Sequence, residues 1–490
     1  MQTLLSLLPL ITFIGGLLIF KNRLRESAAL SLIIASFLAA FYMHSPTEDI
    51  FASLLKGLLV SFDIVLIIFG ALTFLYITKF TGVIASLENH LHRVSSDIRI
   101  QTILIAWFFG AFIEASAGFG IPALITSYFL LRIGIPAVSA IVLALVANSI
   151  PVAFGAVGTP IKIGFYSYNM PEIGQNTAVL GAFISVFIPL MLVFILKNTL
   201  NKPFKEFFMS ATPFALWAGI CFAVPFYFGL RLGLEFPSLV GSIVGISVFL
   251  LTLKLPVFKI SSHFKIKEPE ETTRILPFAL AITPYLFLVS FLVAAKFLPL
   301  SYLVRFGPDM THTFHLFNPG AVFLAAAAAI LLAGRVSIKN LERSGREASK
   351  KIPYIVTVIF LVVSLMQIMV NSGLALSAFK NLETPALPYL APIIGAFGAF
   401  IAGSATVSNL LFGPVQSFAA VEVGLSVSYI LALQLLGATA GNMLAISNIV
   451  TAQSAVDLKG REKQIIQKIF PWTILYILLI FTTVTIKNFF

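Results

Sequence analysis

The chain contains few charged residues. Asp, Glu, Lys and Arg together make up 11% of its 490 residues, whereas hydrophobic residues make up 59%. A soluble globular protein carries about 25% charged residues, so this chain lacks the polar surface that a body in water requires. The mean hydropathy of +1.00 agrees. The scarcity of charge excludes an ordinary soluble enzyme, a nucleic-acid-binding protein and a disordered chain, and it predicts a protein embedded in a lipid bilayer.

Cysteine and metal-binding clusters are scarce as well. Cys221 is the single cysteine, so it cannot form a disulfide within the chain. No group of Cys and His residues has the spacing of a metal site, and no glycine-rich phosphate loop follows a strand pattern. The sequence therefore predicts neither a metal nor a cofactor, and it argues against an enzyme and against an ATP-driven pump.

Long apolar runs dominate what is present. A membrane-spanning helix needs about 20 predominantly apolar residues, and we predict one crossing in each of the following runs: roughly 2–20, 27–43, 52–78, 134–165, 173–196, 209–230, 236–254, 275–298, 316–334, 353–376, 425–450 and 469–487. Two further apolar stretches, 100–131 and 387–420, are too long for one crossing. Each is interrupted by a centre rich in Gly and Ser, EASAGFGIP in the first and AGSATVSN in the second.

The positive charge indicates how the chain is threaded. There are 32 Lys and Arg against 20 Asp and Glu, and the cytoplasmic loops of membrane proteins collect Lys and Arg. Most of the basic loops fall on one side only if 100–131 and 387–420 each enter and leave the membrane on the same face. We therefore predict an all-α polytopic membrane protein with about twelve transmembrane helices, two re-entrant hairpins and both termini outside.

The two hairpin stretches resemble each other. Phe109–Ala117 reads FGAFIEASA and Phe397–Ala405 reads FGAFIAGSA, and each copy precedes a span broken by small and polar residues. This predicts inverted repeats, as in ion transporters. The first repeat is 1–200, with re-entrant hairpin 100–131 and broken helix 134–165. Residues 201–350 are connecting and scaffold helices, and the second repeat is 351–490, with re-entrant hairpin 387–420 and broken helix 425–450.

Inverted repeats with paired hairpins and broken helices are typical of secondary transporters. A helix that ends inside the membrane exposes backbone amides, which is tolerated only where the backbone is buried in protein or lines a water-filled cavity. Free amides at a helix N-terminus attract anions, so we predict a site for a small organic anion near the midplane. The predicted substrate-binding residues have a hydroxyl, an amide or no side chain: Ser116, Gly118, Gly120, Asn148, Ser149, Gly155, Gly403, Ser404, Thr406, Ser408, Asn409, Gly441 and Asn442.

Two acidic residues inside apolar runs are the candidates for proton coupling. Glu114 lies in the first hairpin and Asp63 lies near the middle of the third span. A carboxylate at this depth is costly, and a carboxyl group in apolar surroundings holds a proton more readily than one in water. The alternative role of Glu114 is a hydrogen-bonded brace of the hairpin. Lys162, after the first helix break, either attracts carboxylates or marks the end of a span.

The motifs of the first half resemble the L-lactate permease family. They are Gly110–Pro122, which reads GAFIEASAGFGIP, Ala147–Ala156, which reads ANSIPVAFGA, and Ile68–Leu72, which reads IFGAL. In the second half, the hairpin 387–420 also matches the family pattern. The resemblance implies proton-coupled uptake of lactate, glycolate and related 2-hydroxymonocarboxylates by alternating access across the plasma membrane of a prokaryote.

Two positions depart from the family pattern. Ala405 stands where the pattern has an aspartate, and Asn442 stands where it has a lysine. These departures favour, as alternatives, sodium coupling or a different organic anion, and an ion channel is a more distant alternative. The expected partners are the anion, a coupling proton or sodium ion and the lipid bilayer, without nucleic acid, and the architecture is compatible with an oligomer.

Overall fold

Helices form most of the chain, because in a bilayer the backbone of an apolar run must satisfy its own hydrogen bonds. The structure is a computed structural model that describes residues 2–19, 24–118, 120–253, 255, 258, 264–266, 276–298, 300–305, 311–316, 318–332, 338–350, 352–379 and 386–489.

The α-helices are numbered in chain order. They are α1 Gln2–Ile19, α2 Leu24–Phe41, α3 Thr47–Phe80, α4 Val83–His92, α5 Ile98–Thr102, α6 Gly110–Ser116, α7 Ile121–Arg132, α8 Ala137–Ala147, α9 Ser149–Val152, α10 Gly155–Lys162, α11 Met170–Ser185, α12 Ile188–Thr199, α13 Thr212–Gly229, α14 Pro237–Thr252, α15 Phe278–Phe297, α16 Pro319–Leu332, α17 Ile338–Ser349, α18 Ile352–Asn371, α19 Leu374–Phe379, α20 Leu387–Ala402, α21 Ala405–Glu422, α22 Val427–Leu444, α23 Ile446–Ala455 and α24 Glu462–Phe489.

Other regular elements are short. Two π-helical segments, Ile103–Phe109 and Phe204–Met209, lead into α6 and towards α13, and a 3₁₀ turn follows α13 at Leu230–Leu232. Strands β1 Ser301–Arg305 and β2 Thr311–His315 form one antiparallel pair, with Ser301 opposite His315. This pair was not predicted from the sequence.

Within the described residues, nine helical stretches are long and apolar enough to cross a membrane. They are Leu24–Phe41, Thr47–Phe80, Ile98–Ser116, Met170–Thr199, Phe204–Leu232, Phe278–Ala295, Ile338–Asn371, Val427–Leu444 and Glu462–Thr485. Five further apolar helices are shorter: Ile121–Arg132, Ala137–Ala147, Pro237–Thr252, Pro319–Ile330 and Leu387–Ala402. Every predicted span contains a helix, so the protein is a mostly helical, multi-pass membrane protein.

The chain folds into two compact units, each built from separate parts of the sequence. The first contains Met1–Leu87, Arg274–Pro385 and Leu410–Val427, and the second contains Glu88–Thr273, Ala386–Asn409 and Ser428–Phe490. In the first unit, α3 packs closely against α16, because Gly70 and Gly320 have no side chains to separate the two backbones. The second unit contains both hairpin tips and both broken helices.

Each predicted hairpin stretch contains two helices joined by a short non-helical segment, and the two helices of the first stretch run antiparallel. In the first, residues equally far from the tip face each other: the Phe109 and Phe129 rings are 5.7 Å apart, and Gly110 lies against Thr126. In the second, the Ser408 hydroxyl donates to the carbonyl oxygen of Gly395 over 2.9 Å. The tips are therefore the short non-helical segments around residues 117–120 and 403–404.

Both spans that follow the hairpins are interrupted. The first is divided into α8, α9 and α10, and Ala156, Val157 and Gly158 have left-handed backbone angles, with φ of 41°, 55° and 81°. The second is interrupted at Ala445, where the extended backbone separates α22 from α23. These interruptions place non-helical backbone beside the hairpin tips.

Candidate functional site

The hairpin tips and the interrupted helices enclose a small cavity in the second unit. Its volume is about 60 Å³, which is enough for several water molecules. The lining residues are Glu114, Gly118, Gly120, Val152, Gly155, Ala156, Thr159, Pro160, Gly403, Ser404, Ala405, Thr406, Asn442 and Asn448. Among these described residues, Glu114 carries the one charged side chain.

Glu114 lies near the end of the first hairpin arm and is 4% exposed. The Asn148 amide nitrogen donates to its Oε2 atom over 2.8 Å. The other carboxylate oxygen, Oε1, lies against Gly155 and near Gly118, where a Cβ atom on Gly155 would collide with it. Two glycines therefore make room for the carboxyl group at the cavity wall, and Asn148 orients it.

The tip of the second hairpin presents a helix N-terminus to the cavity. Gly403 has φ of 70° and ends α20, and α21 begins at Ala405. The Ser404 hydroxyl caps this new helix by accepting a hydrogen bond from the Val407 amide over 3.3 Å. The first amides of a helix have no partner within the helix, so those of Ala405 and Thr406 are donors that suit an anion.

Two asparagines from the second interrupted span complete the opposite wall. The Asn448 amide nitrogen donates to the Asn442 side-chain oxygen over 2.9 Å and to the Asn442 carbonyl oxygen over 3.1 Å. Asn448 Oδ1 would lie 3.0 Å from a Cβ atom at Gly120. The pair links α22 to α23 across the break and approaches the first hairpin tip.

The first interrupted span supplies the remaining wall. Ala156 lies in the left-handed segment, and the Thr159 hydroxyl donates to its carbonyl oxygen. A β-branched residue such as Val157 rarely adopts positive φ, and backbone strain of this kind is concentrated at functional sites. The segment is held from outside the cavity by the Gly233–Glu235 loop, since Gly158 lies against the Leu234 carbonyl.

Eight of the predicted site residues line the cavity. They are Glu114, Gly118, Gly120, Gly155, Gly403, Ser404, Thr406 and Asn442. The sequence thus identified residues from all four segments that meet here. A role in binding the substrate or the proton remains a prediction for each of them.

The other predicted site residues lie behind the cavity wall, where their hydrogen bonds stabilise the backbone. Ser116 donates to the Phe112 carbonyl oxygen, and Ser149 donates to that of Val146. The Asn409 amide reaches the Pro160 carbonyl oxygen over 3.0 Å. Ser408 bonds Gly395 as described, Gly441 packs against the backbone of Ala396, and Asn148 acts through Glu114.

Asp63 and Lys162 do not line the cavity. Asp63 is half-buried on α3 and belongs to the first unit. Lys162 forms an ion pair with Glu235, at the end of the loop that holds the left-handed segment. The charge of Lys162 is therefore matched by a neighbouring carboxylate, which weakens the prediction that it attracts a substrate.

Sequence reasoning missed two polar residues of the cavity. Thr159 and Asn448 line the cavity, but neither was among the predicted site residues. Asn448 also donates a hydrogen bond to the Asn442 side-chain oxygen across the second helix break. The signal available was position, because both residues follow directly after a predicted helix break.

The chain combines helices of membrane-spanning length with a small cavity that is lined by helix ends and polar side chains, and this combination is typical of membrane transport proteins. The comparison with family models then gives the family. The model described as L-lactate permease matches residues 2–307 and 305–490, so the chain belongs to the L-lactate permease family. It is a transporter and not an enzyme.

Two relatives of similar length agree with this assignment. The chain is 28% identical to the L-lactate permease of Bacillus subtilis, with 100% of this chain and 95% of that protein covered. It is 27% identical to the glycolate permease GlcA of Escherichia coli, with 95% and 92% covered. Among solved structures, the YdaH transporter of Alcanivorax borkumensis matches 84% of this chain and 82% of its own, with 12% identity and a TM-score of 0.43.

Proposed function

We propose that the chain is a secondary active transporter that imports a small 2-hydroxymonocarboxylate, lactate or glycolate, together with a proton. Family membership and the names of its relatives support the substrate class. The observation that carries the proton coupling is the position of Glu114, a buried carboxyl group at the wall of a cavity whose other described polar groups are neutral.

The cavity suits a small hydroxy acid in size and in chemistry. A volume of about 60 Å³ favours a molecule as small as lactate or glycolate over a larger anion. The substrate carboxylate would accept from the free amides at the start of α21, where the helix dipole also favours negative charge. The substrate hydroxyl would bond the amides of Asn442 and Asn448 or the hydroxyl of Thr159.

Electrostatic repulsion couples the two ligands in this proposal. A substrate carboxylate and an ionised Glu114 would be two negative charges within one poorly solvated cavity, where repulsion is far stronger than in water. The substrate therefore binds well only when Glu114 holds a proton. Release of both on the other side of the membrane completes symport, and the proton gradient drives accumulation.

The finer topology belongs to the same proposal. We propose twelve crossings, two hairpins that re-enter the membrane and both termini outside, in the plasma membrane of a prokaryote. The four segments that line the cavity all belong to the second unit. A movement of that unit as one body would carry the cavity with its ligands, as alternating access requires.

A second candidate is coupling to sodium or transport of another organic anion. Ala405 and Asn442, the two departures from the family pattern, both line the cavity. Oxygen atoms of Ser404, Thr406 and Asn442 are ligands suited to a small hard cation. This candidate keeps the transporter architecture and changes only what occupies the cavity.

The test is uptake of labelled L-lactate into proteoliposomes, with and without an inward proton gradient. We expect accumulation that depends on the gradient, that glycolate inhibits and that acetate leaves unchanged. Replacing sodium with choline at fixed pH tests the second candidate, which predicts loss of uptake in choline. Uptake that does not saturate and shows no counterflow would instead indicate a channel.

The role of Glu114 is tested by Glu114→Gln, which keeps the shape of the side chain but cannot take up and release a proton. We expect the variant to lose accumulation driven by the proton gradient while exchange of internal for external lactate persists. Glu342→Gln, at an exposed position of α17, is the matched control and should behave as the parent. Normal gradient-driven uptake by Glu114→Gln would contradict the assignment.

A further inference from the structure

An apolar groove lies on the second unit, away from the cavity. It is bounded by α12, by the π-helical segment that precedes α13 and by α24. The lining residues are Phe187, Leu190, Met191, Phe194, Phe208, Trp472, Leu475 and Leu479. Its volume of about 350 Å³ is within the range of sites for small molecules.

Aromatic rings form one end of this groove. The Phe194 ring centroid is 5.2 Å from that of Phe208 and 5.6 Å from that of Trp472. Phe194, Phe208 and Trp472 are each only partly buried, and Leu475 is 38% exposed. In a membrane protein, such an open apolar surface is in contact with lipid chains.

Three lysines follow or precede these rings by one helical turn. Lys197 comes three residues after Phe194, Lys205 comes three residues before Phe208, and Lys468 comes four residues before Trp472. One turn of helix advances about 5.4 Å.

The lysines share one end of the groove, because the helices run in opposite directions. α12 ends at Thr199 and connects through a short turn to the segment that starts at Phe204, so Lys197 and Lys205 lie at the same end. α24 begins at Glu462 and reaches the Phe194 ring through Trp472, which places Lys468 before the rings. Two acidic residues, Glu206 and Glu462, belong to these same elements. The neighbouring basic residues Lys202, Arg461 and Lys463 exceed them in number, so the net charge remains positive.

We propose that this lysine-capped groove is a binding site for one anionic phospholipid. An acyl chain fills the apolar part, and the three ammonium groups hold the phosphate of the headgroup. Long lysine side chains can extend from an apolar surface to the headgroup level, and basic pockets between membrane helices bind acidic headgroups. The inference does not depend on which substrate the cavity binds.

Trp472 provides a direct probe of this site. The protein is reconstituted into phosphatidylcholine vesicles that contain a small fraction of either brominated phosphatidylglycerol or brominated phosphatidylcholine, and bromine quenches nearby indole fluorescence. The fluorescence of Trp472 is obtained by subtracting the fluorescence of the Trp472→Phe variant from that of the parent protein. Trp107 is fully buried, and Trp217 donates a hydrogen bond to Thr252 outside the groove. The fluorescence of both is present in the parent and in the variant, so the subtraction removes it.

We expect brominated phosphatidylglycerol to quench Trp472 at a mole fraction roughly fivefold lower than brominated phosphatidylcholine, since each nearby lysine attracts an acidic headgroup. The variant with Lys197→Gln, Lys205→Gln and Lys468→Gln should lose this preference. The control variant carries Lys79→Gln, Lys339→Gln and Lys350→Gln, which remove the same charge from the first unit. This control should keep the preference for phosphatidylglycerol.

Three results would overturn the proposal. Equal quenching by the two lipids in the parent would mean that ordinary boundary lipid occupies the groove. A preference that survives the triple substitution would mean that the lysines do not hold the headgroup. Protection of Trp472 from both lipids, together with a dimer in light scattering, would mean that a second copy of the chain covers the groove.

Discussion

At the scale of single residues, the cavity depends on side chains that are missing as much as on those present. Gly155 lies against the Glu114 carboxyl group, and Gly118 lies between this carboxyl group and Ala156. Asn148 donates to the same carboxyl group from the far side. One hydrogen-bond donor and two glycines therefore position the Glu114 carboxyl group at the cavity wall.

This geometry predicts the effect of Gly155→Ala. The added Cβ would collide with the Glu114 carboxyl group and displace it. An added methyl group in a packed wall costs about 1–3 kcal/mol. A cost of this size borne by the geometry that binds the proton lowers gradient-driven lactate uptake roughly fivefold or more. Gly345→Ala is the control, since a Cβ there meets open space. Undiminished uptake by Gly155→Ala would show that the position of this carboxyl group does not matter.

At the scale of elements, the first broken helix is the most constrained part of the site. Ala156, Val157 and Gly158 form a single turn with left-handed angles, which costs roughly 1–2 kcal/mol for each residue with a side chain. The turn persists because it is packed from both sides. Ala156 and Val157 are buried, and Gly158 lies against the Leu234 carbonyl.

We expect Gly158→Ala to lower the thermal unfolding midpoint in detergent by more than Gly424→Ala does. Both glycines have positive φ, so both substitutions carry a conformational cost of about 1–2 kcal/mol. A Cβ at Gly424 meets open space, whereas a Cβ at Gly158 collides with the Leu234 carbonyl carbon and oxygen. Equal midpoints would mean that the Gly233–Glu235 loop moves away from the left-handed turn without cost.

At the scale of the whole molecule, the second unit joins segments that are distant in the sequence. One buried ion pair contacts several of these segments. Arg99 and Asp97 are fully buried, with a shortest contact of 2.6 Å. Arg99 also donates to the Phe207 carbonyl oxygen over 3.0 Å and to Ser210 over 2.7 Å. Its guanidinium lies 4.9 Å from the Phe264 ring centroid. The base of the first hairpin is thereby fixed to the segment that precedes α13.

Asp97→Asn should destabilise the protein strongly, because it leaves the Arg99 charge buried without its counter-ion. Removing one partner of a buried pair costs about 3–5 kcal/mol. Glu347→Gln removes the partner of Lys350 in an exposed pair, where the loss is small because water already solvates both charges. Thermal unfolding of both variants in the same detergent compares the two. Similar midpoints would indicate that water or a shift of the backbone compensates for the lost carboxylate.

Several features of the fold could be predicted from local sequence. Long apolar runs must form helices in a bilayer, so each predicted span contains a helix. Glycine and serine between apolar arms predicted where the two hairpins turn, and both tips contain a glycine with positive φ, Gly118 and Gly403. The β1–β2 pair escaped prediction because its residues lie between spans, where hydropathy gives no periodic signal.

The sequence by itself determined that this protein lies in a membrane, that its helices break at two matched pairs of places and that it belongs with the lactate permeases. These properties follow from hydropathy and from short motifs, which are local. Only the tertiary structure decided which polar residues face the cavity. Ser404 faces it, whereas Asn409 turns away to bond the carbonyl oxygen of Pro160, which is 249 residues distant in the chain. A side chain's direction near a helix break depends on such distant partners, and no local pattern encodes them.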